Sequence, residues 1–218
     1  MQTVIDTELI QYEGWALRVR SSQNPKRLLL LIHGLSGDEN SMWVFARDLP
    51  AHYWMVAPRA PHTAEPSGYS WRSPQFETLD GPSLEQLKQS AEALIRFVDA
   101  YSLSARIDAG TFDVMGFSQG AVMSNVLAFL YPNRIRKTGI LAGFVPSGLE
   151  ELVTQRPLEG KPFFVAHGTK DETVTVERAG ASIAMLEQAG AQVTYCEDEV
   201  GHKVSVNCLN GLKKFFAD

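Results

Sequence analysis

At 218 residues with a net charge of −5, from 20 basic against 25 acidic side chains, the chain has the size of one folded domain with a substantial core. The acidic balance argues against nucleic-acid or anionic-membrane partners, which need a clustered basic surface. No apolar run approaches the ~20 residues of a membrane span; Leu28 to Ile32, for one, is the size of a strand.

Leu9–Tyr12 and Ala16–Arg20 flank Gly14 and read as an antiparallel hairpin at a sheet edge. Asp6, Glu8 and Glu13 precede any apolar run, so no secretory signal is expected and the location implied is cytoplasmic. Arg27–Ile32 follows as a strand whose unbroken apolar character implies burial on both faces. It runs into His33-Gly34-Leu35-Ser36-Gly37, and Trp54–Ala57 is the next strand. The segment Pro58–Pro82 has five prolines, few aliphatic residues and the aromatics Tyr69, Trp71 and Phe76. A loop of that length is usually functional or disordered, so a mobile surface loop is the alternative reading. The expectation is that it folds over the site, with Trp71, Tyr69 and Phe76 as a wall for an acyl group.

Ser83 and Gln86 have capping-box spacing, and Leu84, Leu87, Ala91, Leu94 and Val98 form one helical face behind them. Phe112–Met115 is a strand ending at Gly116, and Gln119 to about Tyr131 is a helix stopped by Pro132. The basic cluster Arg134-Ile135-Arg136-Lys137 reads as a solvated turn or helix end. Gly139–Ala142 and Pro162–Ala166 are strands with only a short segment between them, leaving no room for a large cap domain. Val176–Gln188 is a helix ended by Gly190, Gln192–Glu197 the last strand and Ser205–Phe216 the last helix. Cys196 and Cys208, without an export signal, are expected as reduced thiols. The alternation predicts an α/β fold over residues 1–218, a mainly parallel central sheet with helices on both faces.

The chemistry concentrates in Gly116-Phe117-Ser118-Gln119-Gly120, a G-x-S-x-G pattern between strand and helix. A nucleophilic serine there must sit on a very tight turn, and side chains two positions either side would collide. Downstream, Asp171 or Glu172 supplies a carboxylate after strand Pro162–Ala166, and His202 follows the last strand, giving the order serine, acid, histidine. Developing negative charge on an attacked carbonyl needs N–H donors. The Gln119 amide is one, and the Leu35 amide in the loop after Arg27–Ile32 is the other. His33, His52, His62, His167 and His202 show no metal-ligand spacing, and no glycine-rich phosphate loop is present, so neither metal nor cofactor is expected. His33 and His167, each ending a core strand before glycine, read as structural.

These motifs, taken in order, carry a resemblance to α/β-hydrolases of the phospholipase/carboxylesterase group, which includes the acyl-protein thioesterases. Ala142-Gly143-Phe144-Val145-Pro146 is similar to the segment after that group's sixth strand. The resemblance implies the α/β-hydrolase fold and a Ser118–Asp171–His202 triad, choosing Asp171 over Glu172. It also implies Leu35 and Gln119 as oxyanion donors. Trp71, Tyr69, Phe117 and Phe144 are the candidate substrate contacts. Gly68-Tyr69-Ser70-Trp71 departs from the thioesterases' corresponding loop, which favours a less specialised esterase acting on small to medium carboxylic esters. Thioesters or lysophospholipids cleaved by the same triad are the alternative, and a ligand-binding relative without catalysis is the third reading. The expected partner is a small-molecule ester, with neither nucleic acid nor integral membrane association.

Overall fold

Alternate residues of the central strands serve two separate cores, which is why these strands read as unbroken apolar runs. In β3 (Arg27–Ile32), Leu28, Leu30 and Ile32 join one buried cluster while Leu29 and Leu31 join another. In β9 (Pro162–Gly168), Phe163 and Val165 divide from Phe164 and Ala166 in the same way. This is a computed structural model, and it describes residues 6–73 and 81–217.

The fold is that of an α/β-hydrolase. Its eight-stranded sheet has the order β1 (Glu8–Tyr12), β2 (Trp15–Arg20), β4 (Tyr53–Pro58), β3, β7 (Phe112–Phe117), β8 (Ile135–Leu141), β9 and β10 (Gln192–Asp198). β1 and β2 form the expected edge hairpin, and β2 joins β4 antiparallel; every pairing from β4 to β10 is parallel. Helices α2 (Leu84–Ala105), α3 (Gln119–Leu130) and α5 (Val176–Gln188) cover one face, and α1 (Trp43–Ala46) and α6 (Val206–Phe215) the other. The capping box forms at α2, where Ser83 N–H donates to Gln86 Oε1 at 3.0 Å. Between β8 and β9 stands only α4 (Glu150–Thr154), so no cap domain is inserted there.

Two expectations need correction. Of the basic cluster at Arg134–Lys137 only Arg134 lies in a turn, because β8 begins at Ile135 and takes up Arg136 and Lys137. The pairing of β7 with β8 jumps from Phe112↔Ile135 to Val114↔Thr138, a bulge that sets Arg136 and Lys137 opposite Asp113. Asp113 is fully buried, and its carboxylate accepts from Arg136 Nε and Nη2 at 3.0 and 2.7 Å, Tyr53 O–H at 2.5 Å and Lys137 N–H at 3.1 Å. A buried charge is tolerated when it is both paired and hydrogen-bonded, and this one is. Burial and the Asp113 carboxylate together push the Tyr53 phenol well above its ordinary value.

The second correction concerns the cysteines. Cys196 on β10 and Cys208 in the first turn of α6 are joined as a disulfide with Cα atoms 5.6 Å apart, and are not the reduced pair expected. The fold carries α6 back along β10, and that return brings the two side chains together. Among the described residues no helix is long and apolar enough to cross a membrane.

Candidate active site

Because β3, β7, β9 and β10 run parallel, the loops after their C-terminal ends all open at one edge of the sheet. β7 delivers Ser118 there. Its backbone holds φ +53° and ψ −118°, a conformation that costs a residue with a side chain about 1–3 kcal/mol. The turn is tight enough that glycine is obligatory on both sides. A Cβ on Gly116 would lie 2.1 Å from Gly120 O, and one on Gly120 would lie 2.0 Å from Ile32 O. The result is a hydroxyl at the N-terminus of α3, where the helix dipole contributes positive potential.

The turn after β9 supplies Asp171, whose side chain is buried. Its Oδ1 accepts N–H groups from Thr173 and Val174, each at 2.9 Å, and its Oδ2 accepts His202 Nδ1–H at 2.7 Å. With Nδ1 donating, His202 Nε2 carries the lone pair and accepts the Ser118 hydroxyl at 2.9 Å. Burial alone would raise the Asp171 pKa. The hydrogen bonds from Val174, His202 and Thr173 outweigh it and hold the carboxyl below its ordinary value. His202 is 24% exposed, so water reaches the imidazole. Glu172, the rival carboxylate, points to solvent.

The loop after β3 passes directly against this elbow: a Cβ on Gly34 would lie 3.2 Å from both Phe117 O and Ser118 Cβ. Neither the Leu35 N–H nor the Gln119 N–H meets an acceptor among the described residues. The Leu35 side chain is 55% exposed at the cavity rim. His33 is structural and neutral, since Nε2 accepts Ala60 N–H at 3.0 Å and Nδ1–H donates to Gly34 O at 2.7 Å. Burial lowers its pKa accordingly. His167 is buried as well and donates Nε2–H to Val174 O at 2.8 Å, behind Asp171.

The described part of the segment expected to be an acyl wall, up to residue 73, clamps the loop after β3. Its short strands β5 (His62–Thr63) and β6 (Tyr69–Ser70) form a hairpin. Ser36 N–H donates to Tyr69 O and Tyr69 N–H to Gly37 O, each at 3.0 Å. The pairing is so close that a Cβ on Gly68, at φ +82°, would sit 2.1 Å from Ser36 O. Arg59 binds buried Glu39 through two hydrogen bonds of 2.7 and 2.8 Å, reaches the Tyr69 hydroxyl at 3.1 Å and stacks over its ring. Those Arg59 bonds hold the Glu39 carboxyl below its usual range.

The substrate-contact expectations therefore change. Trp71 is 0% exposed; its indole N–H donates to His33 O at 2.9 Å and its backbone N–H to Gln119 Oε1 at 2.8 Å. An indole whose N–H finds a partner only inside the protein turns inward. Tyr69, bound by Arg59, lines a different cavity, with Trp15 and Ala16, from the one that holds Ser118. Phe117 lies between the Phe45 ring, 5.2 Å away, and the His202 ring, 5.1 Å away. Only Phe144 of the four lines the open cavity of about 680 Å³ beside Ser118. Phe76 lies outside the described residues. The cavity wall also holds Arg72 and Arg178, which the sequence reading passed over. A basic residue in the first turn of an amphipathic helix carries no signal that separates it from a solvated one.

The profile of the family described as phospholipase/carboxylesterase matches residues 16–218. Carboxylesterase SOBER1 of Arabidopsis thaliana is 30% identical over 95 residues, which are 42% of this chain and 41% of that protein. Acyl-protein thioesterase 1 of Kluyveromyces lactis is 26% identical over 182 residues, 74% of this chain and 77% of that one. Among solved structures, the Bacillus cereus carboxylesterase superposes with a TM-score of 0.81 at 23% identity, covering 94% of each chain.

Proposed function

The chain belongs to the phospholipase/carboxylesterase family, and from that premise we propose that it is a serine hydrolase cleaving small to medium carboxylic esters. One observation carries the reading: the hydrogen-bonded series Asp171–His202–Ser118, with links of 2.7 and 2.9 Å. In the proposed reaction, Ser118 Oγ attacks the carbonyl carbon as its proton passes to His202 Nε2. The oxyanion lies against the Leu35 and Gln119 N–H groups, donors of a kind that contribute about 2.7–4 kcal/mol each. As the tetrahedral species collapses, the ester C–O bond breaks and the departing alcohol takes the proton from His202. Water then gives a proton to His202 and attacks the acyl-enzyme, releasing the acid and restoring Ser118. Asp171 keeps the imidazole in the tautomer with Nδ1–H and stabilises its charged form. The open cavity and the single short helix between β8 and β9 support a solvent-accessible site rather than a deep acyl tunnel.

The similarity to acyl-protein thioesterase 1 favours thioester cleavage as the second reading, since a thiolate leaves the same tetrahedral species. A panel of p-nitrophenyl esters, acyl thioesters and lysophosphatidylcholine, measured on the wild type and on Ser118→Ala, tests both. Ester turnover that drops by about 10⁶-fold in Ser118→Ala supports the esterase. Turnover of thioesters alone would replace it with the second reading, and turnover that survives Ser118→Ala would overturn both.

A further inference from the structure

When Ser118 has added to an ester, the tetrahedral carbon carries two limbs, the acyl group and the alkoxy group. The alkoxy oxygen takes its proton from His202 Nε2 and so must lie within hydrogen-bond reach of it. The cavity of about 680 Å³ is lined by Val122, Phe144 and Val174 beside Ser118, but not by His202 or Phe117. That cavity therefore suits the acyl limb, and the alcohol limb leaves on the side of the imidazole. There the next surface is aromatic. The Phe117 ring lies 5.1 Å from the His202 ring and is stacked on the Phe45 ring of α1, 5.2 Å away with the planes at 25°. Both phenylalanines pack on the core cluster that Leu29 and Leu31 join, yet each keeps part of its surface open. The apolar surface continues outward: Val44 is 57% exposed, and Leu209 of α6 meets Val44 and Phe45 in one groove. Single exposed apolar side chains need no explanation, but a contiguous row that starts at the imidazole marks a place for a ligand.

On the serine-hydrolase reading, we propose that Phe117 and Phe45 form the binding site of the alcohol limb, so that the preferred substrates are esters of apolar alcohols. Phe45 is the specificity-determining member of the pair, because Phe117 is fixed between it and His202. The stacked rings offer flat apolar area and neither a hydrogen-bond donor nor a strong acceptor. An alkyl or phenyl group gains by covering them, and a polyhydroxylated alcohol does not.

The experiment compares kcat/KM for the butyrate esters of ethanol and 2-phenylethanol, alcohols of similar acidity, in the wild type and in Phe45→Ala. The ratio within each protein is read, because it does not depend on how much of a variant is folded. The expected result is a phenylethyl ester favoured by about tenfold in the wild type, shrinking to about twofold or less in Phe45→Ala. The ratio between ethyl hexanoate and ethyl acetate, which varies the acyl limb, keeps its wild-type value in the variant. A second measurement needs only the wild type. p-Nitrophenyl butyrate acylates Ser118, and added ethanol or 2-phenylethanol then competes with water for the acyl-enzyme. The alcohol gives its proton to His202 Nε2 as its oxygen bonds to the acyl carbon; the bond to Ser118 Oγ breaks and Oγ takes that proton. 2-Phenylethanol should capture half of the acyl groups at about one-tenth of the concentration that ethanol needs. A phenylethyl-to-ethyl ratio near one, a ratio unchanged in Phe45→Ala, or equal capture by the two alcohols overturns the proposal. So does an acyl-series ratio that moves in Phe45→Ala while the alcohol ratio holds, which would place the acyl chain on the rings. Absence of any ester turnover in the wild type, or turnover that survives Ser118→Ala, would instead sink the serine-hydrolase reading.

Discussion

Trp71 and Gln119, 48 residues apart in sequence, are joined by a 2.8 Å hydrogen bond from the Trp71 backbone N–H to Gln119 Oε1. The same Gln119 side chain also meets Ser70 Oγ, while the Trp71 indole holds His33 O. One tryptophan therefore ties the residue after Ser118 to the loop that carries Leu35. Replacing Gln119 by Leu keeps the backbone N–H but leaves the buried Trp71 N–H unsatisfied, at a cost of about 1–3 kcal/mol. The expected outcome is a melting temperature lower by roughly 2–12 °C and a larger loss in kcat than in KM. Thermal melts with steady-state kinetics check it; an unchanged kcat would mean the clamp does not position the donors.

Asp171 links stability to pH. Its folded-state pKa is lowered, so as pH falls the unfolded chain takes up the proton first. The contribution is complete above the ordinary Asp value of ~3.9 and is lost as pH drops through the lower folded value. The melting-temperature difference between wild type and Asp171→Asn should therefore shrink between about pH 5 and about pH 3. A constant difference across that range contradicts the assignment. At neutral pH the same variant should lose on the order of 10⁴-fold in kcat, because the amide no longer enforces the imidazole tautomer.

At the opposite end of β7, the Asp113–Arg136 pair is structural. Arg136→Ala leaves a buried carboxylate without its cation and should cost about 3–5 kcal/mol in denaturant unfolding. The pair Asp113→Asn/Arg136→Met should recover part of that loss, because both charges disappear while the amide still offers an oxygen to the donors that Asp113 accepts, Tyr53 O–H and Lys137 N–H. A double variant no more stable than Arg136→Ala would count against the ion-pair account.

The disulfide joins residues 12 apart and closes a loop that contains His202. Cys196→Ser/Cys208→Ser should lower unfolding stability by about 3 kcal/mol, the loop-closure entropy returned to the unfolded chain. Since the freed segment carries the imidazole, kcat should fall further than the melting shift alone explains. Melts with and without dithiothreitol check it; identical curves would show that the bridge contributes nothing.

How much of this was legible in the sequence depends on the range of the interactions involved. β3 and β9 were readable because doubly buried strands need apolar residues at every position, α2 because its capping box and apolar spacing mark start and face, and α5 because Gly190 marks its end. The start of β8 was hidden because its charged residues are explained only by Asp113, on a neighbouring strand. The elbow around Ser118 was readable from two glycines that exclude any side chain. The role of Trp71 was not, since an aromatic in a loop can face a cavity or the core, and the carbonyl that decides it belongs to His33, 38 residues earlier. Arg178 was invisible for the same reason: only the fold sets it over Phe144.

The most direct measurement is rapid-quench mass spectrometry with a p-nitrophenyl ester, reading the mass of the peptide that contains Ser118. The account expects a burst of p-nitrophenol matching an acyl adduct on Ser118, the adduct then decaying as the acid is released. Turnover with no adduct on Ser118, or an adduct on a different residue, would contradict it.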